Sequence, residues 1–269
     1  MRFLDYVFTR NINRLLLDFK PLPEYEHDDV TVVMGIKNIP GHRIINALNS
    51  IRTQDYPKDL IELILVDYSS MQEFIPEYKG LCEIYDAEYI RLEDKTIWNR
   101  SHALNIAIKK VKSKYLLSTD ADIMFEKNYI KKAVNELRRN PYQYILARCL
   151  DAPESAMNGT NYFRLKAVSI YRSATVNRGI NMTLTYYYHK IHGYDERYIG
   201  WGAEDDDLIK RFRLLGLKKK DISHISSYIH QWHPQRWGLV NDEQRKKNEE
   251  YFMNNHSIVR NMNGWGEIK

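Results

Sequence analysis

The sequence predicts an α/β domain built on a largely parallel sheet. Three observations carry that expectation. Between residues 30 and 150, short apolar runs of strand-forming composition alternate with stretches at helical spacing. Asp67 and Asp120 directly follow two of those runs, where open α/β sheets hold ligands beyond the carboxyl ends of their strands. The chain has 269 residues, 43% of them hydrophobic and 12% aromatic, which supports a large core and excludes wholesale disorder.

Each element follows from its own pattern. Leu4, Val7, Phe8, Ile12, Leu15, Leu16 and Phe19 fall on one helical stripe, with Arg2, Arg10 and Arg14 off it. Residues 1–20 are therefore expected to form an amphipathic helix. Its stripe either docks on the main domain or makes a peripheral contact with a membrane surface or a partner. Pro21, Pro23 and the acidic stretch Glu24–Asp29 form a linker. Thr31-Val-Val-Met-Gly35 opens the core as a strand, and Ile44, Ile45, Leu48 and Ile51 mark a helix. Ile61–Val66 reads as a buried strand, Ala103–Val111 as a helix, and Tyr115–Thr119 as a strand running into Asp120. Asn128–Arg139 is a helix and Tyr144–Leu150 a strand. Residues 151–180 hold loops and mixed pattern, and Met182–Tyr188 reads as a strand. Asp205–Leu215 is a helix with Leu208, Phe212 and Leu215 on one face and Gly216 as its stop. Asp242–Asn255 forms a polar C-terminal helix. The expected division is an N-terminal helix and linker over 1–29, one integrated domain over 30–240 with halves at 30–150 and 151–240, and a C-terminal helix and tail over 241–269.

Composition narrows the function. Lys and Arg number 40 and Asp and Glu 35, a net charge of +5 that is too diffuse to mark a nucleic-acid binder. Lys218-Lys-Lys220 and Arg245-Lys-Lys247 are short and separate, and read as solvated faces. Cys82 and Cys149 show no metal or redox spacing and suit a reducing compartment. No apolar run approaches the ~18 residues of a membrane-spanning helix. Asp5 and Arg10 stand where a signal peptide needs an apolar core. The expected location is cytoplasmic. Asn158 and Asn181 begin Asn-x-Thr triplets, which are read as chance in such a protein.

No GxxxxGK[ST], GxGxxG, GxSxG or HExxH occurs, which disfavours P-loop, dinucleotide-binding, hydrolase and zincin chemistry. Three stretches remain. Asp120-Ala-Asp122 sets two carboxylates at a strand end, suited to a hard divalent cation that neutralises a diphosphate, or simply to a turn. Trp201-Gly-Ala-Glu204-Asp205-Asp206-Asp207 opens a helix. Acids there favour the helix dipole, while an indole between glycines packs on a pyranose face and carboxylates take its hydroxyls. One of those carboxylates suits a general base. His230-Gln-Trp-His233 places imidazoles at i and i+3, able to share a ligand or to serve structure. His189 and His192 repeat the spacing in a different context, which argues against a four-histidine zinc site.

Jointly these stretches resemble nucleotide-sugar glycosyltransferases of the GT-A fold. Thr31–Asn38, Gln54-Asp-Tyr-Pro57 and Val66-Asp67-Tyr-Ser-Ser70 resemble the family-2 transferases. Trp98-Asn-Arg-Ser101, Asp120-Ala-Asp122, Asn181 through Tyr194, and Tyr198–Asp207 resemble the β1,4-galactosyltransferase and polypeptide N-acetylgalactosaminyltransferase group. The resemblance spans roughly residues 30–240, whose halves it makes nucleotide-binding and acceptor-binding. It implies that Asp67 meets uracil, Arg100 lies near the nucleotide, Asp120 touches ribose or the metal shell, and Asp122, His233 and His230 ligate Mn²⁺ or Mg²⁺. It implies that Trp201, Glu204 and Asp206 hold the acceptor sugar and that Asp205 is the catalytic base. Asp67-Tyr-Ser-Ser departs from the family-2 pattern Asp-Asp-Gly-Ser. The donor sugar is set near Arg178, Gly179 and the loop before Trp201.

The implied reaction is inverting transfer of a hexose or N-acetylhexosamine, galactose or N-acetylgalactosamine foremost, from a UDP-sugar to a glycan hydroxyl. A non-catalytic nucleotide-sugar or glycan-binding module of the same fold, and a nucleotidyltransferase, are the competing readings. The first would be favoured by loss of Asp122, Asp205 or His233, all of which are present; the second has no need of the Trp201 cluster.

Overall fold

A computed structural model describes residues 3–19, 21–93, 95, 97–156, 162–172, 179–234 and 242–268. The elements in chain order begin with α1 (Phe3–Phe19), β1 (Val30–Ile36), α2 (Gly41–Arg52), β2 (Ile61–Tyr68), α3 (Ile75–Ile84) and β3 (Glu88–Leu92). Next come α4 (Arg100–Lys110), β4 (Tyr115–Asp120), β5 (Ile123–Phe125), α5 (Tyr129–Arg139), β6 (Gln143–Leu146) and β7 (Arg148–Asp151). The chain continues with α6 (Tyr162–Val168), β8 (Ile170–Tyr171), β9 (Asn181–Leu184) and α7 (Thr185–Lys190). It ends with α8 (Glu204–Leu215), β10 (Lys218–Asp221), β11 (Ser227–His230) and α9 (Asp242–Asn254).

Seven strands form the main sheet, in the order β10-β6-β9-β4-β1-β2-β3. β1 is parallel to β2 and β4, and β2 to β3; β9 alone runs against its neighbours β4 and β6. The expected α/β class with a largely parallel sheet is thus the observed one. The chain steps from β1 to β2 on one side and returns at β4 on the other, which makes the β1/β4 crevice the switch point where such sheets bind ligands. Register sets Asp67 of β2 opposite Ile36 and Asp120 of β4 opposite Gly35. A second sheet, β5-β11-β7-β8, lies beside it.

Local sequence accounts for the helices. In α5, Tyr129, Ile130, Ala133, Val134 and Leu137 are buried while Lys131 and Arg138 face solvent, a 3.6-residue stripe. Asn99 caps α4 by accepting the amide of His102 at 2.9 Å, which makes Arg100 the first helical residue. Gly216 ends α8 in the left-handed conformation, φ 104°, and a Cβ there would meet the Arg14 backbone at 2.7 Å.

Three elements differ from expectation. Residues 144–150 do not form one strand. The chain leaves the main sheet at Ala147, so β6 belongs to one sheet and β7 to the other. Residues 182–188 are strand only to Leu184 and then turn into α7. The tyrosine run has strand propensity, but burial decides: Tyr187 and Tyr188 are both enclosed, and Tyr188 packs edge-on against Phe212 at 5.2 Å. Within 151–180, α6 and β8 are formed.

Helix α1 docks on the end of α8. Asn13 Nδ2 donates to Leu214 O at 2.6 Å, and Arg14 donates to Tyr142 O at 3.3 Å. Of the described side chains on the expected apolar stripe, Phe8, Ile12 and Leu16 are 66%, 41% and 51% exposed while Val7 is half-buried. The side chains of Leu4, Leu15 and Phe19, together with Arg2, Asn158 and Arg178, lie outside the described residues. Asn181 is buried in β9 and closed to modification. Cys82 and Cys149 are buried, unpaired thiols, both pushed up to about 12 by burial. Among the described residues no helix is long and apolar enough to cross a membrane.

A fully buried ionic network ties the C-terminal tail to the start of α8. Arg260 lies 3.0 Å from Asp195 and 2.8 Å from Asp207, and Arg211 donates to Asp207 at 2.6 Å. Tyr251 donates to Asp195 at 2.8 Å. The half-exposed Arg197 also reaches Asp195 at 3.2 Å, so three guanidiniums meet two carboxylates, and removing Arg260 takes away the enclosed countercharge that both buried carboxylates share. Arg260→Ala is expected to lower stability by about 3–5 kcal/mol. Urea unfolding checks this, and a midpoint within error of wild type would refute it.

Candidate active site

The small sheet assembles a cluster that its sequence scatters over more than 100 residues. Asp122 lies in the turn between β4 and β5. β11 pairs antiparallel with β5 and sets His230 opposite Ile123. The backbone then holds the pair together, because Gln231 N donates to Asp122 O at 3.0 Å. His233 Nε2 lies 3.4 Å and His230 Nε2 3.8 Å from Asp122 Oδ2, and the three ligand atoms fall within 4.8 Å of one another. Two imidazoles and one carboxylate at that separation form a donor set that fits a divalent transition cation.

Electrostatics keep this carboxylate ionised. Burial works to raise Asp122, but the hydrogen bond from His233 and the charges of His230, His233 and Arg43 outweigh it and hold the group below its usual range. The same hydrogen bond raises His233, partly offset by burial and by Arg43. Arg43, in the first turn of α2, brings its guanidinium to 3.9 Å from Asp122. Nothing in the local sequence pointed to Arg43. Nor did it point to Gln231, whose side chain donates to Arg43 O at 2.9 Å and accepts from Asn46 at 2.7 Å.

Arg100 links the cluster to the acidic helix start. Its Nε donates to Asp120 Oδ1 at 2.6 Å, its Nη1 to Asp205 Oδ1 at 2.9 Å and its Nη2 to Gly179 O at 3.1 Å. The guanidinium lies over the Tyr194 ring at 5.5 Å, and both carboxylates raise its proton affinity against the desolvation that lowers it. Gly179 is the close neighbour on the other side, since a Cβ there would come to 2.8 Å from Asp205 Oδ2.

The loop before α8 is bent by residues with positive φ at Gly200, Gly202 and Ala203. It leaves Trp201 54% exposed. Asn248 of α9 buttresses this loop, donating to Ile199 O at 3.0 Å and Trp201 O at 3.4 Å. Glu204 is buried and accepts from Gly202 N at 2.9 Å. Burial and the charge of Asp205 together push its carboxyl up to about 7. Asp205 and Asp206 lie half-buried on the same turn, and Asp207 is spent in the ionic network.

The structure does not bring Asp67 into either cluster. Its carboxylate is enclosed, accepting from Ser70 N at 2.8 Å, Tyr89 OH at 2.6 Å and Arg91 at 2.5 Å. His189 and His192 stand apart as well. His189 Nε2 faces Ile108 O at 2.8 Å, and His192 stacks on Trp265 at 5.9 Å.

Comparison with known proteins identifies this architecture. The sequence profile described as glycosyl transferase family 2 matches residues 31–199, and that of the N-terminal domain of galactosyltransferase matches residues 165–234. No curated protein matches the chain by sequence. S. aureus TarS 1-349 in complex with UDP is similar at a TM-score of 0.60 and 17% identity, over 83% of this chain and 64% of that one. GalNAc-T7 with UDP, GalNAc and Mn²⁺ is similar at a TM-score of 0.65 and 15% identity, over 86% of this chain and 48% of that one. This chain therefore spans about half to two-thirds of the length of these neighbours. What they share with it is the GT-A fold expected from the sequence.

Proposed function

Because the chain belongs to glycosyl transferase family 2, we propose that it is a metal-dependent inverting glycosyltransferase. It moves a hexose or N-acetylhexosamine, galactose or N-acetylgalactosamine foremost, from a UDP-sugar to a hydroxyl of a glycan acceptor. The observation that carries this reading is the Arg100 bridge, which connects the Asp120–Asp122 turn to the acidic first turn of α8. The similar structures, one in complex with UDP and the other with UDP, GalNAc and Mn²⁺, support the donor class.

Asp122, His230 and His233 would hold the cation, Mn²⁺ or Mg²⁺. A bound divalent cation stabilises charge on the leaving diphosphate. Asp120, oriented by Arg100, meets ribose or the cation's water shell. Asp67, enclosed, reaches the base only indirectly, by fixing the Arg91 guanidinium in front of it. Trp201 packs on the acceptor pyranose, and Glu204 and Asp206 accept hydrogen bonds from its hydroxyls. Asp205 accepts the proton of the attacking hydroxyl as that oxygen reaches the anomeric carbon from the face opposite the diphosphate. The proposed division runs at 29/30 and 240/241, with α9 supporting the Trp201 loop of the central domain through Asn248.

Thermal unfolding with UDP, GDP, CDP and ADP, each with and without Mn²⁺, tests the reading. UDP at ~100 times its dissociation constant should stabilise the protein by about 2.7 kcal/mol, and only with Mn²⁺. No shift with any nucleotide would favour the binding-module reading.

The exposed Phe8, Ile12 and Leu16 stripe supports a peripheral lipid contact through α1. Flotation with anionic vesicles is expected for the wild type and lost in Ile12→Asp. Equal flotation of both proteins would exclude the contact.

A further inference from the structure

We propose that Asp151, clamped by Arg172, is a positioning residue that orients His230 and makes the cation site prefer transition metals over Mg²⁺. The inference rests on reading Asp122, His230 and His233 as a cation site. It begins with strand register. β11 runs parallel to β7, and His230 is the register partner of Asp151. His230 Nδ1 lies 3.2 Å from Asp151 Oδ1, while its Nε2 faces Asp122. A carboxylate at Nδ1 holds the proton there, which leaves the Nε2 lone pair turned into the cluster. This is the arrangement in which an outer carboxylate orients a metal-ligating histidine and strengthens it as a donor.

Asp151 is itself fixed. The antiparallel pairing of β7 with β8 carries the chain to Arg172, whose amide donates to Cys149 O at 3.0 Å. Arg172 Nε then donates to Asp151 Oδ2 at 2.9 Å, and its Nη2 donates to Asp151 Oδ1. His233 is held differently, with Nδ1 against the carbonyl of its neighbour Pro234 at 3.1 Å.

The consequence is selectivity. Mg²⁺ takes oxygen ligands and keeps several waters, so a well-aimed imidazole adds little to its binding. Cations such as Mn²⁺, Co²⁺ and Zn²⁺ gain from imidazole in the order set by their affinity for nitrogen. Asp151 therefore raises affinity for the second group and leaves Mg²⁺ nearly untouched.

The test measures cation binding to the full chain without nucleotide. Mn²⁺ is titrated by electron paramagnetic resonance of the free ion, and Mg²⁺ by competition. Asp151→Asn is expected to weaken Mn²⁺ about 10–100-fold, with Mg²⁺ unchanged. In a His230→Asn background the same substitution should add nothing, because its effect passes through that ring. Arg172→Gln should shift the same ratio by less and guards against misfolding of the first variant. Asp151→Glu should restore part of the loss. Equal losses for Mn²⁺ and Mg²⁺, an undiminished effect in the His230→Asn background, or wild-type Mn²⁺ affinity in Asp151→Asn would each overturn the proposal. A wild type that binds no Mn²⁺ would overturn the cation-site reading and this inference with it.

Discussion

Asp205→Asn is expected to lower kcat by about 10²–10⁴-fold, the usual contribution of a positioned general base, while UDP and Mn²⁺ bind as in wild type. Asparagine keeps an oxygen for Arg100, which donates to Asp205 at 2.9 Å, so geometry survives and proton acceptance does not. The loss should fall on kcat rather than on KM for the donor, because the carboxylate stands on the helix turn beside Trp201 and away from the Asp122 cluster. A second readout is independent of turnover. Glu204 is held up to about 7 by burial and by the charge of Asp205. Removing that charge should lower the Glu204 titration, measured by carboxyl ¹³C chemical shifts. The sugar product, followed by NMR before mutarotation, should show inverted configuration at the anomeric carbon. Near-normal turnover of Asp205→Asn would end the assignment of Asp205 as base, and a retained configuration would end the single-displacement mechanism.

Asp122→Ala should have an effect of similar size through a different step. Asp122 is the carboxylate that faces both imidazole Nε2 atoms and the Arg43 guanidinium, all within 4 Å of its Oδ2. Without it the cluster presents neutral or positive groups to a cation. Mn²⁺-dependent stabilisation by UDP should disappear, and kcat/KM should fall by about 10³-fold or more, the several kcal/mol that a metal supplies to a leaving diphosphate. His233 should also titrate lower, because the hydrogen bond that raises it is lost. Retention of a Mn²⁺-dependent UDP shift in Asp122→Ala would place the cation elsewhere.

Much of this molecule can be read along the chain. Apolar runs mark β1, β2 and β4 because each strand is buried along its length and signals itself within a few residues. The chemistry-bearing stretches 120–122, 201–207 and 230–233 are legible for the same reason, since their residues are neighbours in sequence. Local pattern misled where a later contact decided the outcome. The tyrosine run after Leu184 has the composition of a strand, yet packing against Phe212 makes it a helix. Residues 144–150 have one continuous apolar pattern, yet the chain is shared between two sheets.

The sequence by itself determined the α/β class, the positions of Asp67 and Asp120 along their strands, and the candidate residues. Only the tertiary structure decided how those residues combine. It enclosed Asp67 behind Arg91 and Tyr89, set Arg43 and Asp151 around the histidine pair, and joined Asp120 to Asp205 through Arg100. The physical reason is that propensity and periodicity act over one or two turns, whereas strand register and charge pairing act between residues 20 to 105 positions apart.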